Sequence, residues 1–296
     1  MGLKIHYFDR YQQKNCEEMV YGGDWLKFIY QHPVGKALQK VIVSPVISKI
    51  YGALQDHSYS RNKIDEFIKK YSIDMSEYEE KNFQSFNDFF IRRFKSRKRT
   101  FSSDAKVMPA VAEGRYCGYA EVSDQVRFPV KGKYLNCSEL LQNDHWAQQF
   151  QSGPLLIARL CPVDYHRFHF PDDCRILDQY RIEGSLYSVN PLALQAKADL
   201  FFLNERQVSI LETQNFGRLA YIEVGATCVG KIVQSYQPKE GYLRGEEKGY
   251  FLFGGSTVIV LGEPGKWIPA QDILEKTQEE TEVFIRLGDE MARAKD

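Results

Sequence analysis

Nowhere do the six cysteines, Cys16, Cys117, Cys137, Cys161, Cys174 and Cys228, form a CxxC pair. That absence argues against a structural zinc site and a redox dithiol. Scattered in this way, the cysteines read as reduced, buried thiols in a cytosolic setting. Neither charge is in surplus, since Lys and Arg total 39 and Asp and Glu total 39. The chain as a whole therefore carries no bias toward nucleic acid, and any basic surface is local. No apolar run approaches the roughly 20 residues of a membrane-spanning helix; residues 41–47 come nearest and are broken by Ser44 and Pro45. The N-terminus lacks a basic flank followed by an apolar core, so a secretory signal is not expected. His6 stands where a myristoylation motif after Gly2 needs Ser or Thr. Internal repeats and low-complexity tracts are also missing.

What is present is a 296-residue chain that is 43% hydrophobic, enough for one large domain or two modest ones. Residues 25–55 contain no acidic side chain, while Lys27, Lys36, Lys40 and Lys49 alternate with Trp25, Phe28, Ile29, Tyr30, Leu38, Val41, Ile42, Ile47, Ile50 and Tyr51. This is the composition of a helix lying in a membrane interface, and equally of a helix packed on the protein's own core. In "RNKIDEFIKKY" Ile64, Phe67, Ile68 and Tyr71 share a helix face, and "FNDFFIRRF" follows a plausible Ser85 cap. From Lys106 the character changes to short β-branched and aromatic runs. "RQVSILET" and "RLAYIEVGA" read as a hairpin around "QNFG", and "GYFLFGG" and "TVIVLGE" extend the signal. After Ile268 a charged amphipathic helix is predicted over "AQDILEKTQEETEVFIRLGDEMARA". The expected fold is α+β: a helical N-terminal region over 1–60, then over 61–296 a mostly antiparallel β-rich catalytic body with a C-terminal helix.

Three stretches carry candidate chemistry. "FGGST", residues 253–257, places the Ser256 hydroxyl beside the unshielded carbonyl of Gly255. "CPVDYHRFHFP", residues 161–171, confines Asp164, His166 and His169 between two prolines, as a tight turn or one helical turn with both imidazoles able to face one side. No further His or Cys stands at ligand spacing nearby, so no metal is assigned; alone, the pair also fits buried, satisfied polar side chains. "FNDFF" adds Asp88, which gives Asp88, His169 and Ser256 as a carboxylate, imidazole and hydroxyl set able to activate a nucleophile. One reading is a serine hydrolase, although Ser256 lacks the GxSxG elbow. Another makes the Gly255 carbonyl the target, so that the chain cuts itself and leaves a pyruvoyl group. A non-catalytic lipid-binding or carrier module is the third, and it has no need of the three residues together.

The ordered blocks "FNDFFIRR", "FPVKGKYLNCSELL", "RLCPVDYHRFHFP", "GSLYSVNP", "LNERQV", "VGATCVGKI" and "RGEEKGYFLFGGST", spread over residues 60–262, resemble the phosphatidylserine decarboxylases. The resemblance implies a self-processing proenzyme that converts phosphatidylserine to phosphatidylethanolamine and CO2. Its cofactor would be a pyruvoyl group made from Ser256, which forms a Schiff base with the lipid's amine. It makes Asp88, His169 and Ser256 the processing triad, Gly255–Ser256 the severed bond, residues 1–255 the β chain and 256–296 the α chain. His166 becomes the acid–base residue of decarboxylation, and Asp164 the other carboxylate placed to orient a histidine. It also implies a homodimer of αβ units, no metal and no nucleic acid. The protein would dock on anionic membranes, peripherally, on the cytoplasmic face of the cell membrane if bacterial. Two departures stand out. The family's "PADG" block appears as "PAVAEGR", with Glu113 near the expected acid, and Gly254 replaces the Leu that many members carry before the Gly-Ser pair.

Overall fold

The computed structural model describes residues 5–18, 45–122, 136–188, 200–226 and 231–295, together with Phe28, His32 and Gly35. The chain opens on a hairpin of β1 (His6–Asp9) and β2 (Lys14–Glu17). Asp9 shapes its turn, its carboxylate accepting from the amides of Tyr11 and Gln12 at 2.9 and 3.0 Å. The helix Pro45–Asp56, a 3-10 turn at Ser58–Lys63 and the helix Ile64–Tyr71 form the helical N-terminal region. A short helix, Phe86–Phe90, starts at the expected cap, with Ser85 Oγ accepting from the Asp88 amide at 3.1 Å.

Thereafter the chain is mostly strand: β3 (Val107–Pro109), β4 (Gly114–Tyr119), β5 (Leu155–Leu160), β6 (Arg167–His169), β7 (Cys174–Ile182), β8 (Arg206–Thr213) and β9 (Arg218–Val224). β10 (Ile232–Gln234), β11 (Glu247–Phe251), β12 (Ser256–Gly262) and β13 (Trp267–Pro269) follow. The helix Gln271–Gln278 precedes β14 (Glu282–Ile285) and β15 (Glu290–Ala294).

Among the described residues nine strands make the main sheet, in the order β2-β1-β14-β4-β5-β12-β9-β8-β7. Its pairings are antiparallel except β1 with β14, which is parallel. The predicted hairpin is β8–β9. β5 and β12 are buried along their whole length, which is why β12 reads as an apolar run, whereas the edge strand β7 alternates between buried and more exposed positions. Among the described residues two three-stranded sheets, β10-β11-β6 and β13-β15-β3, make up the rest of the β structure.

The C-terminal helix is shorter than the charge pattern predicts. It stops at Gln278, Glu280 takes φ 54°, and the remainder of the stretch becomes β14 and β15. Val283 and Ile285 alternate with more exposed neighbours and are fully buried, filling the gap between β1 and β4. Long-range pairing outweighs local helix preference here. The hairpin at residues 5–18 joins the same sheet, so the sheet crosses the boundary set at residue 60. Of the lysine-rich stretch 25–55, residues 25–44 lie outside the described residues apart from Phe28, His32 and Gly35. Among the described residues no helix is long and apolar enough to cross a membrane.

The main core gathers Ile157, Ile210, Ile222, Ile259, Leu261 and Trp267 around the sheet. A second cluster of Phe67, Phe86, Phe89 and Phe90 takes in Phe253. Ser256 follows directly from that contact, because the chain runs from Phe253 in one core into β12 in the other.

Candidate active site

Both flanks of the 253–257 segment are fixed. On one side the Phe253 amide donates to Asn87 Oδ1 at 2.9 Å, and the Phe253 ring meets Phe86 and Phe90 edge-on at 5.0 and 5.1 Å. On the other, β12 begins with Ser256 opposite Leu160 and Thr257 opposite Val224, in the middle of the sheet. Gly254 bridges them at φ 145°, a conformation that side chains rarely adopt. Gly255 is partly exposed, while Ser256 is fully buried.

Ser256 Oγ lies 3.1 Å from His166 Nδ1. The other ring nitrogen, Nε2, is 2.8 Å from the Cys161 carbonyl oxygen. A carbonyl only accepts, so Nε2 carries the proton and Nδ1 is the bare nitrogen that accepts from the Ser256 hydroxyl. The ring stacks on Phe90 at 4.0 Å. Burial, with help from the Arg92 and Arg115 charges, pushes His166 down to about 3 despite the bond to Cys161. The imidazole is therefore a neutral base at physiological pH.

The turn beneath it is stapled. The Asp164 amide donates to the Cys161 carbonyl at 2.9 Å, and the Asp164 carboxylate accepts from the Cys161 amide at 2.6 Å and from Arg115 Nη1. Arg92 Nη2 donates to the carbonyls of Val163 and Asp164 at 2.7 and 3.1 Å. Asp164 thus shapes the turn without a hydrogen bond to either histidine, and the Cys161 carbonyl orients His166.

His169 lies in β6, where Nδ1 donates to the Gly245 carbonyl at 3.0 Å. Its Nε2 is buried and, among the described residues, without a hydrogen-bond partner, a second bare imidazole nitrogen. Burial lowers this ring to about 4. The Asp88 carboxylate accepts from Lys81 Nζ at 2.5 Å and from the Gln84 amide at 3.0 Å. Among the described residues no hydrogen bond joins Asp88, His169 and Ser256. The segment around the histidines is extended rather than a helical turn, so three-residue spacing does not set them side by side.

Sequence reasoning missed three contributors. Arg92 stood inside "FNDFFIRR" one turn after Asp88, and Arg115 closes the altered "PAVAEGR" block, so both were within sight. The Cys161 carbonyl leaves no trace in a sequence. Glu113 is itself engaged, accepting from Arg99 Nε at 2.6 Å and from the Leu287 amide at 3.2 Å, and burial raises its carboxyl. Five of the six cysteines fall in the described residues, and no disulfide joins any two of them: Cys117, Cys137, Cys161 and Cys174 are buried and Cys16 is partly exposed; Cys228 lies outside them.

A buried hydroxyl thus lies against a neutral imidazole at a glycine junction, and the family model for phosphatidylserine decarboxylase matches residues 86–293. The chain belongs to the phosphatidylserine decarboxylase family. The match takes in Asp88, both histidines and the Gly255–Ser256 junction. Relatives named phosphatidylserine decarboxylase proenzyme agree along nearly the whole chain. The protein of Clostridium novyi is 40% identical over 290 residues, covering 97% of this chain and 98% of its own. That of Desulfitobacterium hafniense is 40% identical, with 97% of each covered, and that of Fusobacterium nucleatum 38%, with 99% and 98% covered. This member of the family is thus a decarboxylase.

Proposed function

We propose that this decarboxylase makes its own catalytic carbonyl by severing the 255–256 bond, and then converts phosphatidylserine to phosphatidylethanolamine and CO2. The observation that carries the reading is the 3.1 Å contact of Ser256 Oγ with the bare Nδ1 of His166 in a site closed to solvent. An external ester has no path to a hydroxyl so enclosed, whereas the preceding carbonyl is always within its reach. Ser256 Oγ adds to the Gly255 carbonyl carbon as its proton passes to His166 Nδ1. Return of that proton to the Ser256 nitrogen breaks the C–N bond and leaves an ester. Loss of the Ser256 α-proton expels the Gly255 carboxylate, and water replaces the nitrogen as ammonia, giving the ketone.

The resulting pyruvoyl group supplies an electron sink for the pair left by departing CO2. His166 then serves a second time: its bare Nδ1 takes from water the one proton that the net decarboxylation consumes and hands it to the substrate carbon as CO2 leaves, with Phe90 stacked on the ring. A second reading keeps His169 as the cutting base, favoured by its unpartnered Nε2 and requiring that nitrogen to move to the serine. Docking on an anionic membrane fits Leu54 and Tyr59, which are 60% and 75% exposed in and just after the helix that brings Tyr51 against Phe253.

Mass spectrometry of the purified protein tests the proposal. Two fragments are expected, the smaller beginning at residue 256 with the serine converted to pyruvoyl, and lipid turnover should follow their appearance. An intact chain labelled by a fluorophosphonate would instead mark a serine hydrolase, and an intact, unlabelled chain a lipid-binding module.

A further inference from the structure

We infer that Arg92 is the receptor for the phosphodiester of the lipid headgroup, an inference that rests on the decarboxylase reading above. The Arg92 side chain is almost completely buried, yet only Nη2 is engaged, on the Val163 and Asp164 carbonyls and, at 3.4 Å, the Tyr78 hydroxyl. Among the described residues Nε and Nη1 have no hydrogen-bond partner. That leaves three N–H donors of a permanently charged group idle, and among the described residues no carboxylate pairs with it. The rings of Tyr78 and Phe89 lie against the guanidinium, 4.5 and 4.9 Å from its carbon. They hold its plane and leave its edge as the polar surface.

A buried cation without a counter-ion is costly, and an arginine edge is shaped for two oxygens of one anion. The other buried arginines of this region are already matched: Arg115 with Asp164, Arg159 with Glu18 and Glu282, Arg99 with Glu77 and Glu113. Arg92 alone among these waits for an anion, and it does so on the turn that presents His166.

The substrate offers a carboxylate and a phosphodiester, and the chemistry separates them. The carboxylate loses its charge as CO2 leaves, so a tight ion pair to it would stabilise the ground state more than the transition state. The phosphodiester keeps its charge throughout and stands one methylene and one ester oxygen from the reacting carbon. Anchoring it at Arg92 would hold that carbon near His166 without opposing the reaction. In the uncut chain this edge is closed, as are His166 and Ser256. Breaking the 255–256 bond places Phe253, which packs on Phe90, two residues from a free end.

The test uses mature enzyme and soluble dihexanoyl phosphatidylserine. In whatever fraction of the chain is cut, Arg92→Met should raise KM about ten- to a hundredfold; Arg92→Lys should fall between. In wild-type enzyme, phenylglyoxal modification of Arg92, mapped by peptide mass, should be slowed by sn-glycero-3-phosphoethanolamine and not by L-serine. Protection by L-serine, or by neither, would overturn the inference, as would an unchanged KM in a cut Arg92→Met enzyme. If both variants stay uncut, the wild-type protection experiment decides alone. A wild-type chain that neither cuts nor turns over lipid would refute the decarboxylase reading instead.

Discussion

Ser256 and His166 are 90 positions apart in the chain and 3.1 Å apart at their side chains, with the imidazole aimed by a backbone carbonyl rather than by a carboxylate. The division of labour between the two histidines turns on this contact.

If His166 is the cutting base, His166→Ala should slow self-cleavage by about 10²–10⁴-fold. His169→Ala should leave a cut protein that is less stable, having lost the bond to Gly245 and the stacking partner of Tyr165. Gel analysis of the two variants after equal incubation separates the possibilities. A cut His166→Ala and an uncut His169→Ala would assign the base to His169.

The pH dependence has a definite sign. Burial holds His166 at about 3, below the ordinary imidazole value of about 6.5, so its Nδ1 stays unprotonated until the medium becomes strongly acidic. Freshly synthesised precursor should therefore cut at a near-constant rate from about pH 8 to about pH 5. An inflection near the ordinary imidazole value would mean that the cutting base is solvated.

Arg159 ties together both sides of the scissile bond, donating to Glu18 at 2.7 Å from Nη2 and to Glu282 at 2.9 Å from Nε. Burial alone would raise the Glu18 carboxyl, but Arg159 and Arg115 prevail and hold it at about 2. A depressed carboxylate stabilises the fold above its unfolded value and loses that contribution as pH falls through the folded one. In a Ser256→Ala background, Glu18→Gln should cost about 3 kcal/mol at neutral pH. In urea titrations the gap should shrink by about half near pH 3. An equal gap at both pH values would show that the charge is not the cause.

Lys248 and Glu223 form a fully buried pair, Nζ to Oε1 at 2.6 Å, with the ammonium beside the rings of Phe168, Tyr221 and Tyr236. Removing one partner strands the other. Lys248→Met should cost about 3–5 kcal/mol, and adding Glu223→Leu should recover most of it. Denaturant midpoints of the two variants test this; additive losses would mean that the pair is not coupled.

Local physics was legible in the sequence. The Ser85 cap, the β8–β9 hairpin and the apolar run of β12 are set by neighbours a few residues away, and the chemical identity of Gly255 and Ser256 needs no fold to be noticed. The helix after Ala270 was readable only at its start, because β14 is decided by β1 and β4, distant segments that supply its hydrogen bonds and burial. The partner of Ser256 was decided by tertiary structure alone. Asp88 and His169 are chemically suitable, yet Asp88 is held by Lys81 and Gln84, His169 by Gly245, and His166 is turned to the serine by the carbonyl of Cys161. Every residue carries such a carbonyl, so residue identity cannot mark the one that acts; only its placement in space distinguishes it.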